Sequence, residues 1–211
     1  MMKVIATNIG RPTNVKWNGK IIQTGIYKYP TVTPLFLKKE DVVNDTVIDR
    51  KHHGGEYKAC YLFAADNYPY WKGKYPNLQW NWGMFGENLT VQGLDEANIR
   101  IGSIYKIGTA LVQITQPREP CFKLGIRFGT QNILKEFIAH AHPGTYIKIL
   151  EEGTVKKTDS LVLVEASDNA LTVKAFYELL YSKEKNKAIL DLALSNDALP
   201  LSKRKKLQKF L

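Results

Sequence analysis

The sequence predicts a mainly β chain of the α+β class: a β-barrel or sandwich with peripheral helices, followed by a small C-terminal module of three helices. Three observations carry this. Up to about residue 165, short runs alternate apolar and polar residues with a period of two and are punctuated by turn residues. Asn18-Gly19 stands between "VKW" and "KIIQ" as the turn of a type I′ hairpin. After residue 166 the apolar spacing changes to the helical i, i+3, i+4, i+7 pattern. The chain is accordingly divided into a body, 1–165, and a tail, 166–211.

In order, "KVIATNI", "VKWNGKIIQ", "KACYLF", "SIYKIGTALVQIT", "TYIKIL" and "SLVLVEA" read as strands. Two helices interrupt them. One lies around "AADNYPYWKG", where Pro69 allows only a short or broken helix, and one at "QNILKEFIAHA", ended by Pro143-Gly144. In the tail, Val173, Phe176, Tyr177 and Leu180 share a helical face, capped by Ser167, Asp168 or Asn169. Ile189, Leu192 and Ala193 repeat the spacing, and "SKRKKLQKFL" presents Leu207 with Phe210 or Leu211 after a cap at Ser202.

A chain of 211 residues is long enough to bury a proper core. Its 30 Lys and Arg against 20 Asp and Glu leave a formal charge of +10, which favours anions nearby: a solvated basic surface, nucleic acid, or a phosphate-bearing ligand in a basic cleft. The tail carries nine of those cations against five acids, including the run "KRKK" at 203–206, which reads more readily as a solvated helix face than as a nucleic-acid contact. The two cysteines, Cys60 and Cys121, make no disulfide framework and point to a reducing compartment. Without CxxC or CxxCH, a zinc ribbon, a typical iron–sulfur cluster and a covalent c-type haem are unsupported. No apolar leader and no run of 18 apolar residues occurs, so a soluble cytoplasmic protein with no membrane partner is expected.

Three segments are dense in reactive residue types. "VIDRKHHGGEYKACYLF", residues 47–63, sets Asp49, Arg50, Lys51, His52 and His53 before Gly54-Gly55. Paired glycines let backbone N–H groups approach an anion, although a tight turn beside solvated charges has the same composition. In "WGMFGENLTVQGLDEANIRIG", residues 82–102, Glu87-Asn88 follow Gly86; Asn88 could equally satisfy a turn. In "TQPREPCFKLGIRFGTQ", residues 115–131, Cys121 sits at an expected helix start among Arg118, Lys123 and Arg127, a setting that favours thiolate. Cys60, inside "KACYLFAA", reads as an inert buried thiol. A Cys121 thiolate could act as a nucleophile with His52, His53, His140 or His142, although no spacing marks a dyad. No ligand pair has a recognised zinc spacing. A soft metal carried on a phosphate-bearing cofactor would use both the sulfur and the cations; the residues permit this and do not select it.

Taken together and in order, "DRKHHGGEYKACYLF", "WGMFGENLTVQGL" with "IRIG", and "TQPREPCFKL" resemble the MOSC domain family (molybdenum cofactor sulfurase C-terminal domain), in its YiiM-like branch. "TGIYKYP" and "GTYIKILEEGTV" add to the likeness. It covers 1–165 as a MOSC domain, and the tail resembles the small helical domain that follows it in YiiM-like proteins. The resemblance implies a MOSC-type β-barrel that binds molybdenum cofactor (molybdopterin), with Cys121 as the molybdenum ligand. It assigns Cys121, Asn88 and Arg118 to catalysis. His53, Gly54 and Gly55 fall on its HGG motif, and Gly86, Glu87 and Asn88 on its FGEN motif, all at the cofactor. Arg118 would suit an anionic pterin phosphate or substrate. Lys58, Lys28 and Asp49 match flanking positions. Asn44-Asp45 and Ser103 depart from the family's usual "GD" and "IGD".

Relatives in this superfamily reduce N-hydroxylated compounds, base analogues included, so the resemblance implies a small-molecule N-hydroxylated substrate. With no nucleotide-binding glycine fingerprint and no second redox motif in the chain, electrons are expected from a separate donor protein. Tyr57, Trp71, Trp82 and Phe122 are candidates for stacking on a planar substrate. Three other readings stay open: a carrier of sulfur or cofactor, a basic nucleic-acid binding module, and a cysteine hydrolase.

Overall fold

Strand β1 (Met2–Gly10) shows how the chain closes on itself. Its inward Val4 and Ala6 are buried, and both of its edges are taken by other strands. The computed structural model describes residues 1–50 and 53–211. The other strands are β2 (Thr13–Trp17), β3 (Lys20–Thr24), β4 (Lys28–Thr31), β5 (Leu35–Leu37), β6 (Cys60–Ala64), β7 (Leu89–Gln92), β8 (Ile104–Ile107), β9 (Ala110–Pro117), β10 (Thr145–Glu151), β11 (Gly153–Val155) and β12 (Ser160–Glu165). Among the described residues, seven of them run in the order β12-β8-β9-β10-β6-β7-β1 and return to β12 through Met2↔Leu161 and Lys3↔Ser160, a closed barrel. Strand β4 adds to the free part of β1, while β2–β3 and β5–β11 form two small ribbons.

Every barrel neighbour is antiparallel except β6 and β7, which pair parallel through Leu62↔Leu89, Phe63↔Thr90 and Ala64↔Val91. A parallel pair needs a crossover, supplied here by α1 (Tyr68–Lys74) and the loop 75–88. The segments that lead into β6 and β7 therefore meet at one end of the barrel. They are the His53-Gly54-Gly55 and Gly86-Glu87-Asn88 segments.

The Asn18-Gly19 turn has positive φ at both residues, 47° and 77°, as a type I′ turn requires. Pro69 does not break α1: it lies in the first turn, where its missing N–H costs nothing. Helix α2 (Phe122–Phe128) starts directly after Cys121, and α3 (Asn132–His140) ends before Pro143 at Ala141, which takes a left-handed conformation. The tail forms α4 (Val173–Tyr181), α5 (Lys187–Ser195) and α6 (Leu201–Leu207). Helix α4 is capped by Thr172, whose hydroxyl accepts the Ala175 N–H at 3.1 Å, and not by Ser167, Asp168 or Asn169. Those residues come too early because the next stretch is still bound to the barrel: Ile101 N–H donates to the Leu171 carbonyl and Val173 N–H to that of Ile99. Likewise α6 begins after Pro200, so Ser202 falls inside it.

Two apolar cores result. One fills the barrel and continues into the tail, joining Leu62, Leu89, Val112 and Ile114 to Phe176, Leu190 and Leu207. The second is aromatic and lies among β6 and α1–α3: Phe63, Tyr68, Trp71, Phe85, Phe128 and Phe137. Phe63 stacks on Phe85 with centroids 4.1 Å apart. Among the described residues no helix is long and apolar enough to cross a membrane.

Candidate functional site

Where those loops meet the exit of β9, a cleft opens with a cavity volume of about 90 Å³. Its walls include His53, Gly54, Lys58, Gly86, Asn88, Arg118 and Cys121, together with Lys28, Asp49 and Lys123. That volume holds several waters or the reacting end of a ligand, so a larger molecule would extend outward from it.

Cys121 is half-buried, in extended backbone just before α2, and its carbonyl accepts the Leu124 N–H at 2.8 Å. His53 Nε2 lies 3.8 Å from its sulfur. Its backbone N–H donates to the Asp49 carbonyl at 2.8 Å, and Gly54 and Gly55 follow with φ of 80° and 79°, a turn that side-chain-bearing residues rarely adopt. Burial, then the charges of Arg118, Lys123 and Lys58, lower the His53 pKa to about 4, so its ring is neutral near pH 7. Of the other histidines considered as thiol partners, His140 stacks on Tyr70 at 4.0 Å and His142 Nδ1 lies 3.1 Å from Glu96; His52 is outside the described residues.

Arg118 is only 4% exposed. It donates to the Phe85 carbonyl and lies over the Tyr61 ring, 5.1 Å from its centroid. Burial works to lower its pKa, but Tyr61, Tyr146 and Cys121 outweigh that, and the net displacement is upward. Lys123 pairs with Asp49 at 3.5 Å. Lys58 sits 5.7 Å from the centroid of the Tyr146 ring, and burial, followed by the charge of Lys203, lowers its pKa. Arg127, expected beside the thiol, is instead held against Tyr27 and Tyr29, with centroid distances of 4.7 and 5.2 Å.

Asp45 organises the opposite wall. It pairs with the buried Lys28, accepts the Gly10 N–H at 2.8 Å and accepts Asn88 Nδ2 at 2.9 Å. Asn88 Oδ1 in turn accepts the Tyr61 N–H at 3.2 Å, so both ends of that amide are committed to the protein. The sequence marks Asp45 only as part of a departure from the family's usual "GD" and does not single out Tyr61 or Tyr146. These last two are a cross-strand pair of β6 and β10 with centroids 5.2 Å apart, and both line the cleft.

Glu87 does not line the cleft. It is fully buried on the aromatic side, where Oε1 accepts from Tyr68 Oη, Gly83 N–H and Thr90 Oγ1, and Oε2 from Phe85 N–H. Burial raises its pKa, opposed by the Tyr68 and Thr90 hydrogen bonds. The carboxylate thus shapes the loop that delivers Gly86 and Asn88. Gly55 also falls outside the lining, its N–H donating to the Glu40 carbonyl at 3.2 Å. Among the aromatic candidates, Trp71 is fully buried core, Trp82 packs edge-on to Tyr68 at 4.5 Å, and Phe122 stacks on Trp17 at 5.2 Å. Tyr57 carries Lys148 over its ring at 5.3 Å. None of the four lines the cleft.

The MOSC domain profile matches residues 49–162. Over 206 residues, 98% of this chain and 93% of the other, the sequence is 34% identical to the uncharacterized protein YflK of Bacillus subtilis. It is 33% identical over 150 residues to a protein of Gibberella moniliformis named Reductase, a match that takes in 70% of this chain and 27% of that one. The crystal structure of YiiM from Geobacillus stearothermophilus superposes with a TM-score of 0.83 at 32% identity, covering 100% of both chains.

Proposed function

This chain belongs to the MOSC domain family, and on that premise we propose that it is an oxidoreductase that binds molybdenum cofactor and reduces N-hydroxylated compounds, base analogues among them. One observation carries the reading: a half-buried thiol, Cys121, beside a neutral imidazole in a cleft lined by Lys28, Lys58, Arg118 and Lys123 against Asp45 and Asp49.

The donor set fits the group. Among the described residues no three His, Cys, Asp or Glu side chains gather into a metal cage, so a metal held here would arrive with ligands of its own and take one soft sulfur. Surplus positive charge suits the cofactor's phosphate. When bound, molybdenum cofactor supplies the two-electron chemistry that removes oxygen from an N–O bond. Overall, a hydroxylamine R–NHOH plus two electrons and two protons becomes R–NH₂ and water, the electrons coming from a separate donor protein.

The chain's own residues prepare that chemistry. Cys121 must lose its proton to bind a metal, and the His53 ring 3.8 Å away, neutral near pH 7, stands within reach of the sulfur to orient it by a hydrogen bond. Arg118 keeps its charge under burial and is fixed by the Phe85 carbonyl and the Tyr61 ring, so it meets an anionic oxygen without first being ordered. Asn88, tied to Asp45 and Tyr61, braces the wall between the two loops.

The test is elemental analysis of protein made in a host able to synthesise the cofactor, alongside reduction of an N-hydroxylated base by a chemical reductant. Wild type should carry about one molybdenum and turn over, and Cys121→Ser should do neither. Stoichiometric molybdenum in Cys121→Ser would refute the ligand assignment, and a loaded wild type without turnover would refute the reductase.

A further inference from the structure

Beside the Cys121 cleft lies a larger one, about 670 Å³, between the tail and the exit of β9. Small-molecule sites commonly fall in the range of roughly 300–1,000 Å³. Six lysines line it, Lys58, Lys185, Lys203, Lys205, Lys206 and Lys209, against one carboxylate, Glu119. Glu119 pairs with Lys203, and Lys185 donates to the carbonyls that end α4, Leu179 at 2.7 Å and Ser182 at 2.6 Å. Among the described residues no carboxylate pairs with Lys205, Lys206 or Lys209. The cleft is therefore cationic on balance, with Lys205, Lys206 and Lys209 unmatched by a carboxylate, and the charges of Lys203 and Lys206 act on Lys58 from across it.

Leu180, Pro200, Leu207 and Phe210 give it an apolar wall. Phe210 is 43% exposed, and its ring lies beneath two ammonium groups, Lys209 at 4.8 Å and Lys185 at 5.0 Å from the centroid. A flat π surface flanked by cations matches a molecule with a planar ring at one end and several phosphate charges at the other. Lysines also suit phosphates as mobile point charges.

We propose that this cleft binds a nucleoside di- or triphosphate, with the phosphates among Lys203, Lys206 and Lys209 and the base against Phe210. Lys58 lines both cavities, so a ligand held here abuts the Cys121 cleft. The binding needs neither cofactor nor turnover and stands or falls apart from the reductase reading.

Titration calorimetry with ATP, tripolyphosphate, adenosine and a single-stranded oligothymidylate tests it on the full chain. ATP should bind, weaken as salt is raised, and bind equally to Cys121→Ser. Lys206→Glu with Lys209→Glu should weaken ATP roughly tenfold or more without moving the thermal midpoint, since both side chains are exposed. Lys206→Ala with Lys209→Ala should do so less steeply. Phe210→Ala should weaken ATP several-fold and leave tripolyphosphate unchanged. No ATP binding at low salt, or binding indifferent to the lysine variants, overturns the proposal. Oligothymidylate binding tighter than ATP overturns it in favour of nucleic acid.

Discussion

His53 Nε2 and Cys121 Sγ stand 3.8 Å apart although 68 residues separate them in the chain. The turn at Gly54-Gly55 aims the imidazole, and the extended backbone before α2 aims the sulfur. Because the ring is hemmed in by Arg118, Lys123 and Lys58, its behaviour toward acid is the most direct readout of the site.

The His53 ring should titrate near pH 4, against about 6.5 for a histidine in an unfolded chain, when followed by NMR of its Cε1–H. The sign follows from linkage. On acidification from about 6.5 the unfolded state takes up this proton first, so stability falls between about pH 6.5 and 4 and this residue costs nothing further below. His140, also lowered to about 4, adds in the same direction. In His53→Gln that share of the acid sensitivity should vanish from urea melts; a titration midpoint above 6 would contradict the geometry.

Lys28 and Asp45 form a buried pair with side chains 7% and 3% exposed. Removing one partner strands the other, so Asp45→Ala should cost about 3 kcal/mol or more in urea unfolding. Lys28→Met combined with Asp45→Asn should recover much of the loss. Equal losses in the single and double variants would mean that the Gly10 and Asn88 hydrogen bonds, not the ion pair, make Asp45 matter.

Glu87 should prove a scaffold residue. Its four acceptor bonds hold the loop 83–90, and Glu87→Ala leaves buried donors without a partner at about 3 kcal/mol or more. Thermal melting should drop, while Cys121 in the folded fraction should react with iodoacetamide at the wild-type rate. A changed rate at unchanged stability would return Glu87 to the site.

Arg118→Lys keeps a charge but loses the planar fork that reaches the Phe85 carbonyl. Molybdenum content in the cofactor-producing host should fall at least several-fold, with the thermal midpoint lowered by only a few degrees. Full loading in the lysine variant would show that charge alone suffices.

The fold was legible because its signals were local. Alternation marked β1, β9 and β10, short apolar runs marked β6 and β12, Asn18-Gly19 fixed the hairpin, and the spacing of Val173, Phe176 and Tyr177 marked α4. Strands β4, β5 and β11, three or four residues each, are too short for any period and exist only through their partners. The cap of α4 was misplaced because residues 171–173 are paired with 99–101, a long-range contact without local trace. At the site, motif order drew His53, Asn88, Arg118 and Cys121 together, but not direction: the sequence cannot say that Glu87 turns inward while its neighbours Gly86 and Asn88 face the cleft. Asp45 was missed because its partners Lys28 and Asn88 come from distant segments.

The seam Met2↔Leu161 sets the timetable of folding. A barrel in which β1 bonds to β12 cannot close until residues 160–165 have been made, long after residues 2–10. Until β12 is in place the edges it covers, on β1 and β8, are open to strangers, and closure joins segments far apart in the sequence. The protein should therefore refold on the slow side for its size, in milliseconds to seconds, and depend on protection from aggregation during synthesis.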